Sequence, residues 1–213
     1  MNLRCHWRPG CPDWIKPKRD PTEFSSEKYE EALIAGSFMG LFGGTRDQVP
    51  ETLGVPCCAQ FAVTRDMVRR HTLEDYEKWR RWLMTTVIQS HYSGRVMEYL
   101  WHWIFTGIAT VCPAEHVCYC DGYGICFGSE EEYDRYFELR QTTEIMAKRY
   151  DLAVERGPEY GEDLRVRERG MRELKERLAW ENKELVKMVN VARLLGRHRE
   201  VRRMEVGEEE FSG

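Results

Sequence analysis

The chain has 213 residues, which suits one principal domain plus an appendage at roughly 100–200 residues per domain. With 42% apolar residues and seven Trp it can bury a core, which excludes a disordered chain. A net charge of −4 argues against a general nucleic-acid binder, and no run of eighteen apolar residues exists to span a bilayer.

The composition is uneven along the chain. All eight cysteines lie in residues 1–126, as do six of the seven Trp. Residues 129–213 have no Cys, and 39 of those 85 positions are charged. Two parts follow from this: residues 1–128, a core with covalent staples, and residues 129–213, a charged helical hairpin or coiled-coil extension. The fold class expected is mixed α/β and helix-dominated.

Residues 1–23 are rich in Pro and Gly and read as an irregular segment held at Cys5 and Cys11. A helix is expected from Glu27, capped by Ser26, to Leu41, stopped by Gly43 and Gly44. CCAQFAV, with its small and β-branched residues, reads as a short buried strand. Thr64 and Thr72 cap the next two helices, and residues 73, 76, 79, 82, 83 and 87 form an apolar stripe on the second.

RVMEYLWHWIF, opened by Ser93 and Gly94 and ended by Gly107, is apolar on nearly all sides and should be buried. CPAEHVCYCDGYGIC reads as a turn-rich Cys knot. One charged helix should cover 130–156, and after Pro158 and Gly161 a second should run from about 163 to 204. In the second, Met171, Leu174, Leu178, Leu185, Met188, Ala192 and Leu195 keep a/d spacing, with Glu181 interrupting one d position. This stripe serves either packing on the preceding helix or self-association through residues 163–204.

The cysteines admit two readings. Cys112, Cys118, Cys120 and Cys126 lack the C-x2–4-C spacing that fits a tetrahedral zinc edge, and His116 between them reads as a loop residue. An even count in Gly- and Pro-rich surroundings suits disulfides better, and no metal site is expected. Cys5–Cys11 is the easiest local bridge. Adjacent Cys57 and Cys58 should find different partners, or one should stay free. Disulfides require an oxidising compartment, yet MNLRCHWRPG has no apolar signal region. Secretory-lumen or extracellular placement thus needs a missing amino-terminal signal, and cytoplasmic placement reduced thiols.

CCAQFAVTRD, SGRVMEYLWHWIFTG, CPAEHVCYCDGYGICFG and the opening LRCHWRPGCPDWIKP resemble a fungal family of unknown function, number thirty-four thirty-one, over residues 3–128. Its members carry a preceding segment with a sequence like NVGRE-x-H-T-Y. The resemblance thus implies that this chain is the carboxyl-terminal half of a family domain. A more distant similarity is to branching N-acetylglucosaminyltransferases and xylosyltransferases. QFAVTRD (60–66) is similar to their FxxSRD strand end, and GRVMEYLW (94–101) to their PDE-x-x-[FWY] helix, with Val96-Met97 in place of Pro-Asp.

On that resemblance the partners would be a sugar nucleotide and a glycan acceptor, with no separate cofactor. Glu98, a carboxylate in an apolar helix, becomes the candidate general base, with Arg95 or His102 one turn away to orient it. The plainer alternative is an Arg95–Glu98 pair satisfying itself at the core edge. Arg65 and Asp66, directly after the expected strand, could hold a phosphate or simply start a helix. Gln60 could meet a sugar hydroxyl or the backbone, and Asp121 sits at an Asp-Gly turn. No D-x-D, Walker loop, G-x-S-x-G or H-E-x-x-H occurs. A non-catalytic interaction protein, with a Cys-stapled module and partner-binding helices, is the competing reading.

Overall fold

The computed structural model describes residues 2–19, 28–159, 161 and 163–207. Their elements are α1 (Glu31–Phe42), α2 (Arg65–Val68), α3 (Leu73–Thr85), α4 (Ser90–Thr106), α5 (Glu115–Tyr123), α6 (Glu130–Arg156), α7 (Leu164–Leu195) and α8 (Arg199–Val206), with a short 3-10 turn at Arg46–Gln48. The chain divides into two compact units, Met1–Glu115 and His116–Gly213.

In the first unit two of the helices, α2 and α3, begin where a threonine side chain caps them. Thr64 accepts from the Met67 N–H at the start of α2, and Thr72 forms a capping box with Asp75 at the start of α3. The expected Ser26 cap and Glu27 start lie outside the described residues, and α1 begins at Glu31. Gly43 ends α1 with a φ of 80°. Ile34, Phe38 and Leu41 of α1, Trp79 of α3, and Val96, Leu100 and Ile104 of α4 share one core with Ile15, Val49 and Leu53. The stripe expected on α3 is only partly buried: Tyr76, Trp79 and Trp82 join this core, while Leu73 and Val87 are exposed.

The expected α/β mix is not borne out. Among the described residues extended pairing is confined to three isolated bridges, Asn2 with Phe61, Ile15 with Leu53 and Gly54 with Thr110. CCAQFAV does not form a strand. Its first residues turn, with Cys58 and Ala59 at φ values of 82° and 44°, and left-handed backbone cannot continue a strand.

In the second unit α6 and α7 pair as an antiparallel hairpin. Thr143 of α6 meets Glu181 of α7, and nearer the loop Arg167 donates to the Ala153 carbonyl. The a/d stripe of α7 is half-buried or buried along its length, so the seam is occupied within the chain. Phe127, Tyr133 and Ala192 form this unit's core, with Tyr119, Tyr136 and Phe137 against it. CPAEHVCYCDGYGIC is not the turn-rich knot expected, because α5 runs through it. The expected 163–204 helix is also corrected: it breaks after Leu195. There Gly196 approaches Gly124 so closely that a Cβ would lie 1.9 Å from the Gly124 carbonyl oxygen. No helix among the described residues is long and apolar enough to cross a membrane.

All eight cysteines are disulfide-bonded. Cys11 pairs with Cys112, Cys57 with Cys58 and Cys120 with Cys126. Two expectations fall here. Cys11 does not take Cys5, and the adjacent pair joins to itself. The turn to positive φ after Cys57 is what lets neighbouring side chains, which an extended strand would send to opposite faces, reach one another.

Candidate functional site

Residues 53–60 run beside the amino-terminal segment and are sewn to it by backbone hydrogen bonds. The Val55 N–H donates to Gly10 O, the Cys57 N–H to Pro9 O and the Leu3 N–H to Gln60 O. Asn2 Nδ2 donates to Pro56 O. The Cys11–Cys112 bridge, closing a separation of 101 residues, anchors the same segment to the chain beyond α4. This lattice presents the Cys57–Cys58 pair at its edge, with Cys57 buried and Cys58 exposed.

Two side chains converge on that pair. Arg4 Nη1 donates to the Cys57 sulfur at 2.9 Å and to the Cys58 sulfur at 3.3 Å. Its Nη2 is fixed by Arg8 O at 3.0 Å. From α4, Glu98 Oε1 accepts the Cys58 N–H at 2.8 Å, and a Glu98 oxygen and both sulfurs lie within 4.8 Å of one another. Beside them Phe61 stacks on Trp101 of α4, with ring centroids 4.1 Å apart and planes 8° apart. Glu98 is half-buried, so this is a surface cluster rather than a sealed pocket.

The residues proposed around Glu98 part company. Arg95 donates to Glu30 at 2.8 Å instead of pairing with Glu98, and this bond, with the Glu30 charge, raises the guanidinium pKa further. His102 is fully buried and bonds the Ala109 carbonyl oxygen; burial pushes its pKa below the ordinary value. Arg65 and Asp66 are exposed in the first turn of α2 and make no ion pair with each other. Gln60 is exposed and contributes its backbone carbonyl to Leu3. Asp121 lies in α5, where its carbonyl accepts from Arg202, and the His116 ring faces that of Tyr133.

Sequence reasoning missed Arg4, whose two sulfur partners lie more than fifty residues away, and the buried acids Glu30 and Glu31 at the start of α1. Glu30 takes Arg95, while Glu31, fully buried, accepts from the Lys16 N–H at 2.6 Å and faces Arg19 at 3.2 Å. Two sets could hold a metal by ligand type: Cys57, Cys58 and Glu98, and Cys120, Cys126 and Glu205. In each the two sulfurs are bonded to one another, and a metal ligand must be a thiolate. Glu205 is further engaged by the Phe127 and Gly128 N–H groups.

Fold and cluster together define a disulfide-stapled, helix-dominated protein whose chemically distinctive feature is a bridge between neighbouring cysteines, exposed at Cys58. The chain belongs to the family described as "Protein of unknown function (DUF3431)", whose model matches residues 1–121. The match lies in the amino-terminal part of the chain, which corrects its placement as a carboxyl-terminal half. No curated protein and no solved structure matches it.

Proposed function

We propose that this protein is a thiol–disulfide-responsive module, with the Cys57–Cys58 bridge as its reacting group. One observation carries the reading: a bridge between adjacent residues, exposed at Cys58, has a guanidinium donating to both of its sulfurs. The reductant is an external dithiol. One of its thiolates attacks the exposed Cys58 sulfur, the Cys57–Cys58 bond breaks, and the electron pair departs on Cys57 as a thiolate. Arg4, which already donates to that sulfur, stabilises the charge and so speeds departure. The reductant's second thiolate then attacks its own sulfur in the mixed disulfide and releases Cys58. Two electrons and two protons pass to the protein, and the reductant leaves as a disulfide.

Glu98 has two parts in this scheme. Its carboxylate is near enough to accept a thiol proton when the bridge re-forms, and its bond to the Cys58 N–H ties the bridge to α4. Reduction also frees Cys58 and Ala59 to leave positive φ, a conformation costly for residues with a Cβ. Sugar transfer is the weaker reading, because Arg95 and His102 are engaged elsewhere and Glu98 alone stays near the cluster.

The test is graded reduction of the full chain with dithiothreitol, alkylation, and peptide mass mapping. Labels should enter Cys57 and Cys58 first, as a step of two, while the other six cysteines stay protected. Arg4→Gln should slow that step by about three- to tenfold. Opening of all four bridges together, or of the Cys57–Cys58 bridge last, would overturn the proposal.

A further inference from the structure

We infer a second, independent site in the other unit: a basin of four arginines that takes a compact phosphate-type polyanion, such as the diphosphate of a small soluble compound. Arg197, Arg199, Arg202 and Arg203, with Asp121, surround a cleft of about 440 Å³. That is within the range of small-ligand sites, roughly 300–1,000 Å³.

The fold builds this basin deliberately. α7 stops at Leu195, and Gly196 packs on Gly124 at a distance only glycine permits. The chain then turns and re-enters helix at Arg199. Arg199, Arg202 and Arg203, at i, i+3 and i+4, fall on one face of α8. The opposite wall is the α5 end, closed into a short loop by the Cys120–Cys126 bridge. Arg202 Nη2 donates to the Asp121 backbone oxygen at 2.8 Å, which positions one guanidinium without neutralising it.

The charges are left unbalanced. Among the described residues none of the four arginines lies within ion-pair distance of a carboxylate. Of the two acids on α8, Glu205 is held by the Phe127 and Gly128 N–H groups at 3.1 and 2.9 Å, and Glu200 forms no ion pair with any of the four. Among the residues that line the cleft, Asp121 is the one acid against four arginines. Like charges three and four residues apart on a helix oppose its formation, and an anion in the cleft would reverse that. The guanidinium fork matches the oxygens of phosphate in pairs, whereas a carboxylate ligand would occupy one or two of the four.

The experiment uses the oxidised full chain and inorganic pyrophosphate at about 0.1 M salt, where exposed charges more than roughly 10 Å apart are screened. Titration followed by amide NMR should saturate at one pyrophosphate per chain. Shifts should be confined to residues 121–124 and 196–206. The Arg199→Gln/Arg203→Gln double variant should bind at least about 30-fold more weakly, in keeping with the loss of two charge-assisted contacts. Arg169→Gln/Arg172→Gln, changing exposed arginines elsewhere on α7, should alter affinity by less than about threefold. If the double variant does not fold, the shift map on the unaltered chain decides. No saturable binding, shifts lying elsewhere, an unchanged double variant, or binding only to vesicles containing anionic lipid would each overturn the inference.

Discussion

His102 reaches past the end of its own helix to bond the Ala109 carbonyl oxygen at 2.8 Å, and that same oxygen accepts the Gly54 N–H at 3.1 Å. An acceptor can receive only from a protonated nitrogen, so Nε2 carries the hydrogen and the buried Nδ1, which has no partner, is bare. The histidine expected to serve catalysis thus works as a strut. It joins α4 to the Gly54–Thr110 bridge beneath the Cys57–Cys58 loop.

Burial dominates the His102 titration and depresses its pKa below 6.5, with the Ala109 bond opposing weakly. The unfolded chain binds the proton more readily than the folded one, so stability falls as pH drops through about 6.5. Urea denaturation at pH 7.5, 6.5 and 5.5 should show this group removing up to about 1 kcal/mol between the last two. His102→Gln, which keeps a donor for Ala109, should flatten that step. An unaltered slope would mean that other histidines set it.

Helix ends were legible where one strong signal stood beside an apolar stripe, as with the Thr72 cap that opens α3 and Gly107 that closes α4, whereas α4 begins at Ser90, ahead of the expected Ser93 and Gly94. CCAQFAV misled because small and β-branched residues favour strands locally, while the covalent bridge between Cys57 and Cys58 decides the backbone there. Glu98 was legible as a polar residue in an apolar helix. Its partner was not, since hydrogen bonding to a backbone N–H forty residues away leaves no trace in local spacing. The break at Gly196 depends likewise on Gly124, a contact between segments far apart in sequence.

Gly54 illustrates a position where the side chain, not the conformation, is forbidden. A Cβ would stand 1.9 Å from the Pro12 carbonyl oxygen and 3.1 Å from Thr110 Cγ2. Both neighbours are held, Pro12 beside the Cys11 bridge and Thr110 in its pairing with Gly54, so neither yields cheaply. Gly54→Ala should cost about 3 kcal/mol or more, read as a loss of melting temperature in the first unit. Gly170→Ala, in α7 with nothing within 4 Å of its Cβ, should instead gain about 0.5–1 kcal/mol. Similar effects at both positions would refute the backbone clash at Gly54.

Glu181 occupies the hairpin seam where a leucine would fit the pattern, and it is 3% exposed. Its two oxygens accept from Arg177 Nε at 2.9 Å and Thr143 Oγ1 at 2.8 Å. Burying the carboxylate costs desolvation that these contacts must offset. Glu181→Leu strands no donor: Thr143 retains the Leu139 carbonyl at 2.7 Å, and the exposed Arg177 side chain returns to water. We therefore expect Glu181→Leu to match the parent or exceed its stability by up to about 2 kcal/mol. Thr143→Val leaves the buried acid with one partner and should cost about 1–2 kcal/mol. Urea midpoints for the two variants give the comparison directly. A Glu181→Leu protein weaker than the parent by more than about 2 kcal/mol would mean that the buried acid and its two partners stabilise the hairpin outright, with the acid chosen for strength and not for setting how α6 and α7 align.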